Sequence, residues 1–191
     1  MFSLAAKLNK EIVINKILSR SIGIAAFAVA TSLGAFVRVP LPFTPVPLTL
    51  QTFFVLLAGV CLGSKVGAFS QVAYLAAGLL GFSVFTGAGS GPLYLIGPTG
   101  GYLLGFVLAA FFTGKMVKSC GKNRLAFFCS LILADLLILA CGMLWLKIVF
   151  GYSLDKLLLL GFLPFVAGDI LKISAVAALY AKFSTRLEKI F

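Results

Sequence analysis

The sequence predicts an all-α membrane protein, a compact bundle of six transmembrane helices with both termini in the cytoplasm. Three observations predict it. Hydrophobic residues make up 61% of the 191-residue chain and charged residues only 11%, against roughly 25% charged in a soluble globular domain, and mean hydropathy is +1.14. Apolar runs near the ~20 residues that cross hydrocarbon recur between polar or Pro/Gly breaks. Basic residues gather at alternate ends of those runs, as topology signals do.

The elements follow in order. Residues 1–20 intersperse Phe2, Leu4, Leu8, Ile12, Ile14, Ile17 and Leu18 with lysines, the pattern of an amphipathic helix on the inner membrane surface. The basic stretch is too long for a secretory signal, and no cleavage is expected. Residues 21–183 form the transmembrane domain, with spans at roughly 21–37, 48–63, 66–83, 100–114, 125–146 and 157–181, and 184–191 form a cytoplasmic tail. The second and fourth spans are short. Sixteen residues at about 1.5 Å each cover only about 24 Å, so these two begin in adjacent loops, lie beside thinned lipid or are shielded by neighbours. No room is left for a separate soluble domain.

Charge then sets the sidedness. With the amino terminus inside, the inner segments hold Lys7, Lys10, Lys16, Arg20, Lys65, Lys115, Lys118, Lys122, Arg124, Lys182, Arg186 and Lys189, while the outer loops hold Arg38, Lys147 and Lys156. The net charge of +11 is therefore a membrane signal rather than a nucleic-acid footprint, and the chain belongs in the cell (inner) membrane as a multi-pass protein. Two outer loops, 38–47 with Pro40, Pro42, Pro45 and Pro47, and 83–99 with Gly87, Gly89, Gly91, Pro92, Gly97 and Pro98, are irregular. Such backbone is tolerated where it faces water or covers a cavity, which makes these loops lids of a site open to the outside.

Several function classes drop out. There is no histidine, which removes histidine acid–base chemistry, Ser/His triads and histidine metal sites, and no nucleophile–base pair is apparent; an enzyme is not expected. Cys61, Cys120, Cys129 and Cys141 have no metal-like spacing and read as small buried hydrophobes; no metal or cofactor is expected. The glycine-rich stretch 97–101 lacks the Lys-Ser/Thr ending of a phosphate loop.

The polar residues inside apolar runs carry the chemistry. Asp169 and Lys172 lie three apart in the last span and share a helix face; a charge at mid-bilayer depth costs on the order of 2.5–3.5 kcal/mol on insertion scales and usually serves a ligand or ion path. The pair either neutralises itself within the helix or points into a cavity, where the carboxylate accepts from ligand N–H groups and the ammonium meets a ligand carboxylate. Asp135 in the fifth span could pair with Lys172, carry a proton or hydrogen-bond within the bundle. Thr49, Gln51 and Thr52 open the second span; a buried glutamine offers an acceptor and two donors, suited to a cyclic amide or urea, although Gln and Thr also bridge membrane helices. Ser70, Gln71 and Tyr74 form a similar patch in the third. Tyr74 and Tyr102 are assigned to the pocket, and Tyr94 to the interfacial aromatic belt. Ala26, Ala30 and Gly34 repeat every fourth residue, a small-residue face that lets another helix approach closely, within the bundle or outside it.

The run Thr44-Pro45-Val46-Pro47-Leu48-Thr49-Leu50-Gln51-Thr52, then Leu57-Ala58-Gly59 with Leu62-Gly63, Tyr74 with Gly78 and Gly81, Gly97-Pro98-Thr99-Gly100-Gly101-Tyr102, and finally Asp169 with Lys172 resembles the biotin-specific substrate-binding (S) component of energy-coupling factor (ECF) transporters. The resemblance runs from about residue 22 to 181. It implies a high-affinity membrane component for biotin uptake, with Asp169 and Lys172 holding polar groups of the vitamin. It also implies a transmembrane coupling protein and two ATPase subunits as partners, docked on the small-residue face at Ala26, Ala30 and Gly34. Where the family commonly places a strong polar group near the third-to-fourth-helix loop, this chain offers Thr86 and Ser90. A component for another vitamin, or a stand-alone proton-coupled carrier, are the alternative readings.

Overall fold

The computed structural model describes the backbone of residues 2–121 and 123–187 and the side chains of 16–121 and 123–182; the facing of the amphipathic segment's first fifteen side chains, and most of the predicted tail, lie outside the described residues. The fold is all-helical. Helix α1 (Phe2–Phe36) leads through a two-residue strand β1 (Arg38–Val39) and the proline loop into β2 (Leu48–Thr49), which pairs antiparallel with β1, Arg38 opposite Thr49. There follow α2 (Gln51–Leu79), a short α3 (Pro92–Ile96), α4 (Gly100–Cys120), α5 (Arg124–Phe150), α6 (Leu154–Gly161) and α7 (Leu163–Leu187). Five helices, counted over the described residues, are long and apolar enough to cross a membrane.

Helix α2 holds two predicted spans in one continuous element because Gly63 folds it back on itself. Gly63 has φ 76° and ψ 179°, a conformation glycine alone adopts at little cost. The two limbs, 51–62 and 64–79, lie side by side: a Cβ on Gly67 would sit 3.0 Å from the Ala58 carbonyl oxygen, and the Gln51 amide reaches Tyr74 Oη at 2.6 Å. A straight helix would separate residues 51 and 74 by about 34 Å.

Three further features differ from expectation, two of them helix boundaries. Helix α4 continues to Cys120 rather than stopping at 114, because Lys115 and Lys118 are exposed and long lysines carry their charge to water while the helix goes on. The last predicted span is split: Phe162 (φ −127°, ψ −65°) interrupts it and Pro164 starts α7 in its first turn, where a missing N–H costs nothing. The cysteines are not core residues. Cys129 is exposed and the other three are half-exposed, since a membrane protein's outer surface is as apolar as its interior and hydropathy cannot tell the two apart.

Turns alternate between two ends. The proline loop, the 80–99 segment and the α5–α6 turn lie at one end, and Gly63 and the α4–α5 turn at the other; the Gly63–Ser64 backbone packs on Gly114 of α4. Between these ends α2, α4 and α5 share a core of Val55, Leu56, Phe106, Leu131 and Ile138. Inside it, where α4 meets Gly59, Thr113 Oγ1 is the one buried side-chain oxygen among the described residues without a hydrogen-bond partner. An unpaired buried hydroxyl costs about 1–3 kcal/mol. Thr113→Val, which keeps the shape, is therefore expected to raise the melting temperature of the purified protein, by about 1 kcal/mol of stability.

Candidate functional site

Pro164 and the break before it set the start of α7, and two turns on, Asp169 and Lys172 project from the same face. Lys172 Nζ lies 2.7 Å from Asp169 Oδ1 and donates to Thr52 Oγ1 at 3.0 Å. Asp169 is 4% exposed and the lysine side chain 10%, so the pair sits well away from bulk solvent and its attraction is little screened. An ammonium has three N–H donors. Two are engaged, leaving one, and the buried Asp135 carboxyl lies within hydrogen-bonding reach of the Asp169 carboxylate.

Facing this pair, Gln51 starts α2 with its amide fixed on both sides. Its Oε1 accepts from Thr49 at 3.2 Å and Thr86 at 3.1 Å, and its Nε2 donates to Tyr74. A carboxamide oxygen has two lone pairs and its nitrogen two hydrogens. The network therefore uses every position but one N–H. Thr86 is held in turn: its backbone carbonyl accepts from Tyr94 Oη at 3.1 Å, and the Tyr94 ring stacks on Phe85 at 4.8 Å between centroids.

A cavity open at one side lies between these groups. Val46, Pro47, Leu103, Phe106, Ile138, Leu139 and Phe165 form its apolar wall, and Thr49, Gln51, Thr52, Thr86, Tyr94, Thr99, Tyr102, Asp169 and Lys172 its polar one. Chemically it presents the Asp169 carboxylate as acceptor, and one amide N–H and one ammonium N–H as donors, against a hydrocarbon-like surface. Tyr102 is positioned by glycines on its neighbours: its ring occupies the space a Cβ on Gly142 would fill, and its hydroxyl donates to the Gly161 carbonyl at 2.9 Å.

Of the residues predicted for the site, Asp169, Lys172, Gln51, Thr49, Thr86 and Tyr102 line this cavity. Tyr74 and Ser90 do not. Tyr74 is fully buried behind Gln51, which it orients, and Ser90 belongs to the loop beyond the wall. Tyr94 lies on the cavity rather than in an aromatic belt, because the hydrogen bond to Thr86 turns it inward. Asp135 is 5% exposed and near enough to Asp169 and Lys172 for their charges to interact, yet it is off the wall. Thr99 and the individual residues of the apolar wall are not among the predicted site residues; Thr99 stands in the Gly-Pro-Thr-Gly-Gly-Tyr block that carries the resemblance. On α1, Ala26 is exposed and Ala30 half-exposed, whereas Gly34 turns inward: a Cβ there would press on Phe54 and the Gln51 backbone. The Arg38 guanidinium lies over Gly87, the residue after Thr86.

Known proteins resemble the chain along most of its length. It is 40% identical over 159 residues to the probable biotin transporter BioY of Pyrococcus horikoshii, covering 83% of this chain and 91% of that protein. It is 38% identical over 163 residues to the biotin transporter BioY of Thermotoga maritima, covering 85% and 93%. Among solved structures, it is similar to the S-component for biotin from an ECF-type ABC transporter, with a TM-score of 0.81, 26% identity, and 93% of this chain and 94% of that chain covered. The family model for BioY matches residues 7–189, and on that span this chain belongs to the BioY family.

Proposed function

We propose that this chain binds and takes up biotin as the S-component of an ECF-type transporter. The observation that carries the reading is the set of hydrogen-bonding positions left open in the cavity. Biotin has two ureido N–H donors, a ureido carbonyl, an apolar thioether ring and a chain ending in a carboxylate. The Asp169 carboxylate accepts from a ureido N–H, the free Gln51 N–H meets the ureido carbonyl, and the remaining Lys172 N–H takes the carboxylate, each pairing being charge-assisted or buried. Leu103, Phe106, Ile138, Leu139 and Phe165 enclose the ring; burying it supplies non-directional affinity at about 25 cal/mol per Å². Tyr74 acts through Gln51, and Arg38 places positive charge over Gly87, where it attracts an anionic ligand.

In this reading the bundle has six spans, the two limbs of α2 counted separately, with both termini in the cytoplasm and the protein in the inner membrane. The Gly63 turn then faces inward with Lys65, Lys115, Lys118 and Arg124, in keeping with the excess of Lys and Arg on cytoplasmic loops. Residues 1–20 form the cytoplasmic-side segment, continuous with the first span in α1, 21–183 form the binding domain and 184–191 a tail. A transmembrane coupling protein and two ATPase subunits supply the driving force, with the docking face on α1 narrowed to Ala26 and Ala30. The family is one of transporter components, not enzymes.

The test is equilibrium binding of labelled biotin to the purified chain in detergent. Saturable binding displaced by unlabelled biotin, but not by excess thiamine or riboflavin, is the expected result. Equal displacement by either vitamin would move the assignment to another substrate.

A further inference from the structure

We propose that Thr44 is a positioning residue for ligand retention: its hydroxyl ties the Val46 and Pro47 wall of the cavity to the break between α6 and α7. The proposal rests on the biotin-site reading above and assigns a role to a residue that does not itself line the cavity.

The reason lies in the carbonyls around Pro164. In an uninterrupted helix the Leu160 carbonyl would accept from the N–H of residue 164 and the Gly161 carbonyl from that of residue 165. Residue 164 is proline and has no N–H, while the Phe165 N–H donates to the Phe162 carbonyl at 3.1 Å instead. Two consecutive carbonyls thus lose their helical donors, and an unmet buried carbonyl is costly. Both are satisfied by hydroxyls from distant parts of the chain. Tyr102 serves Gly161, and Thr44 Oγ1 donates to the Leu160 carbonyl at 2.6 Å.

The same Thr44 oxygen accepts from the Val46 N–H at 3.3 Å. One hydroxyl therefore holds α6 with its hydrogen and the cavity-lining turn with its lone pair. Thr44 is 9% and Val46 4% exposed, so neither bond competes with bulk water. Around them the loop has little else. Its stems are pinned by the β1–β2 pairing and by the Leu50 N–H on the carbonyls of Gly34 and Val37, but across 40–47 the one backbone hydrogen bond among the described residues is Thr44 N–H to Leu41 O at 3.4 Å. Pro42, Phe43 and Pro45 are exposed. Leu48, just past the loop, rests its methyls on Gly168, the residue before Asp169. Thr44 and Leu48 together seat this wall on the α6–α7 unit that carries the charged pair. Without the hydroxyl the wall is free to swing from a bound ligand, which raises the rate of exit more than it changes the rate of entry.

The experiment measures association and dissociation of labelled biotin on the purified full chain for wild type, Thr44→Val, Thr44→Ala and Thr44→Ser. Loss of one buried hydrogen bond is expected to speed dissociation about tenfold in the Val and Ala variants, with association within about twofold. Thr44→Ser, which keeps the hydroxyl, is expected to dissociate within about threefold of wild type, a rescue that mere side-chain packing would not give. Wild-type dissociation in both Val and Ala variants, or a Ser variant as fast as they are, overturns the proposal. Amide hydrogen exchange of segment 40–49 in ligand-free protein reads the tether without biotin. It is expected to quicken in Val and Ala and not in Ser, and uniform exchange across the four proteins overturns the tether. A wild-type chain that shows the tether but binds no biotin overturns the ligand reading instead.

Discussion

Asp169→Asn is expected to weaken biotin binding by about 2–5 kcal/mol, the cost of breaking a buried, hydrogen-bonded charge pair, or about 30- to 5,000-fold in dissociation constant. Two losses add up in this substitution. The acceptor for the ureido N–H groups loses its charge, and charge-assisted bonds are about twice as strong as neutral ones. Lys172, its nearest anion removed, keeps Thr52 at 3.0 Å as its hydrogen-bond partner and is left as a buried cation with too little compensation. Isothermal titration of biotin into the variant gives the number. Thermal unfolding of the same sample records the second loss separately, because the stranded lysine lowers stability whether or not ligand is present.

Gly101→Ala is expected to have a large effect on the fold. A Cβ at this position would overlap Trp145 Cβ and lie 2.6 Å from the Cys141 carbonyl oxygen, both part of the α5 main body rather than the end of a flexible side chain. Helices α4 and α5 must then separate. Overpacking a close-packed core costs about 1–3 kcal/mol and occasionally more, and a collision with backbone belongs at or above the upper end of that range. The strain falls next to Tyr102, whose ring fills the slot at Gly142 and whose hydroxyl serves the Gly161 carbonyl. Trp145 Nε1, which donates to the Gly97 carbonyl at 3.0 Å, shifts with it. A lower melting temperature together with weaker biotin binding is the expected result. Gly168→Ala is the comparison: its Cβ would meet only the methyl ends of Leu48 at 3.0–3.1 Å, which can turn aside, and a small change is expected.

These two positions show what the sequence could reveal and what it could not. Asp169, Lys172 and Gln51 were legible because a polar group inside an apolar run is expensive, and expense in a membrane implies a purpose. Leu103, Phe106, Ile138, Leu139 and Phe165 were not, since a cavity wall and a lipid-facing surface demand the same residues. Tyr94 turned inward for a related reason: an aromatic ring near the boundary has one composition whether it anchors in the interface or faces the cavity, and the hydrogen bond to Thr86 that decides is a tertiary contact. The interruption at Phe162 had a visible cause in Pro164. The carbonyls it frees, however, find their donors 116 residues earlier at Thr44 and 59 residues earlier at Tyr102, and no local pattern announces such pairings. Gly63 could be read as a break between apolar runs, but the close antiparallel contact of its limbs depends on Gly67 meeting Ala58 and Gly59.

The central claim is that the Asp169–Lys172 pair exists for the ligand rather than for the bundle. Replacing both members at once separates these roles, since removing a buried ion pair as a unit is often neutral or stabilising, whereas breaking it is not. The measurement is calorimetric titration of biotin into Asp169→Asn/Lys172→Met alongside its melting temperature. The expected result is a folded protein that melts near wild type and gives no biotin isotherm. A double variant that binds biotin as tightly as wild type would contradict the assignment outright.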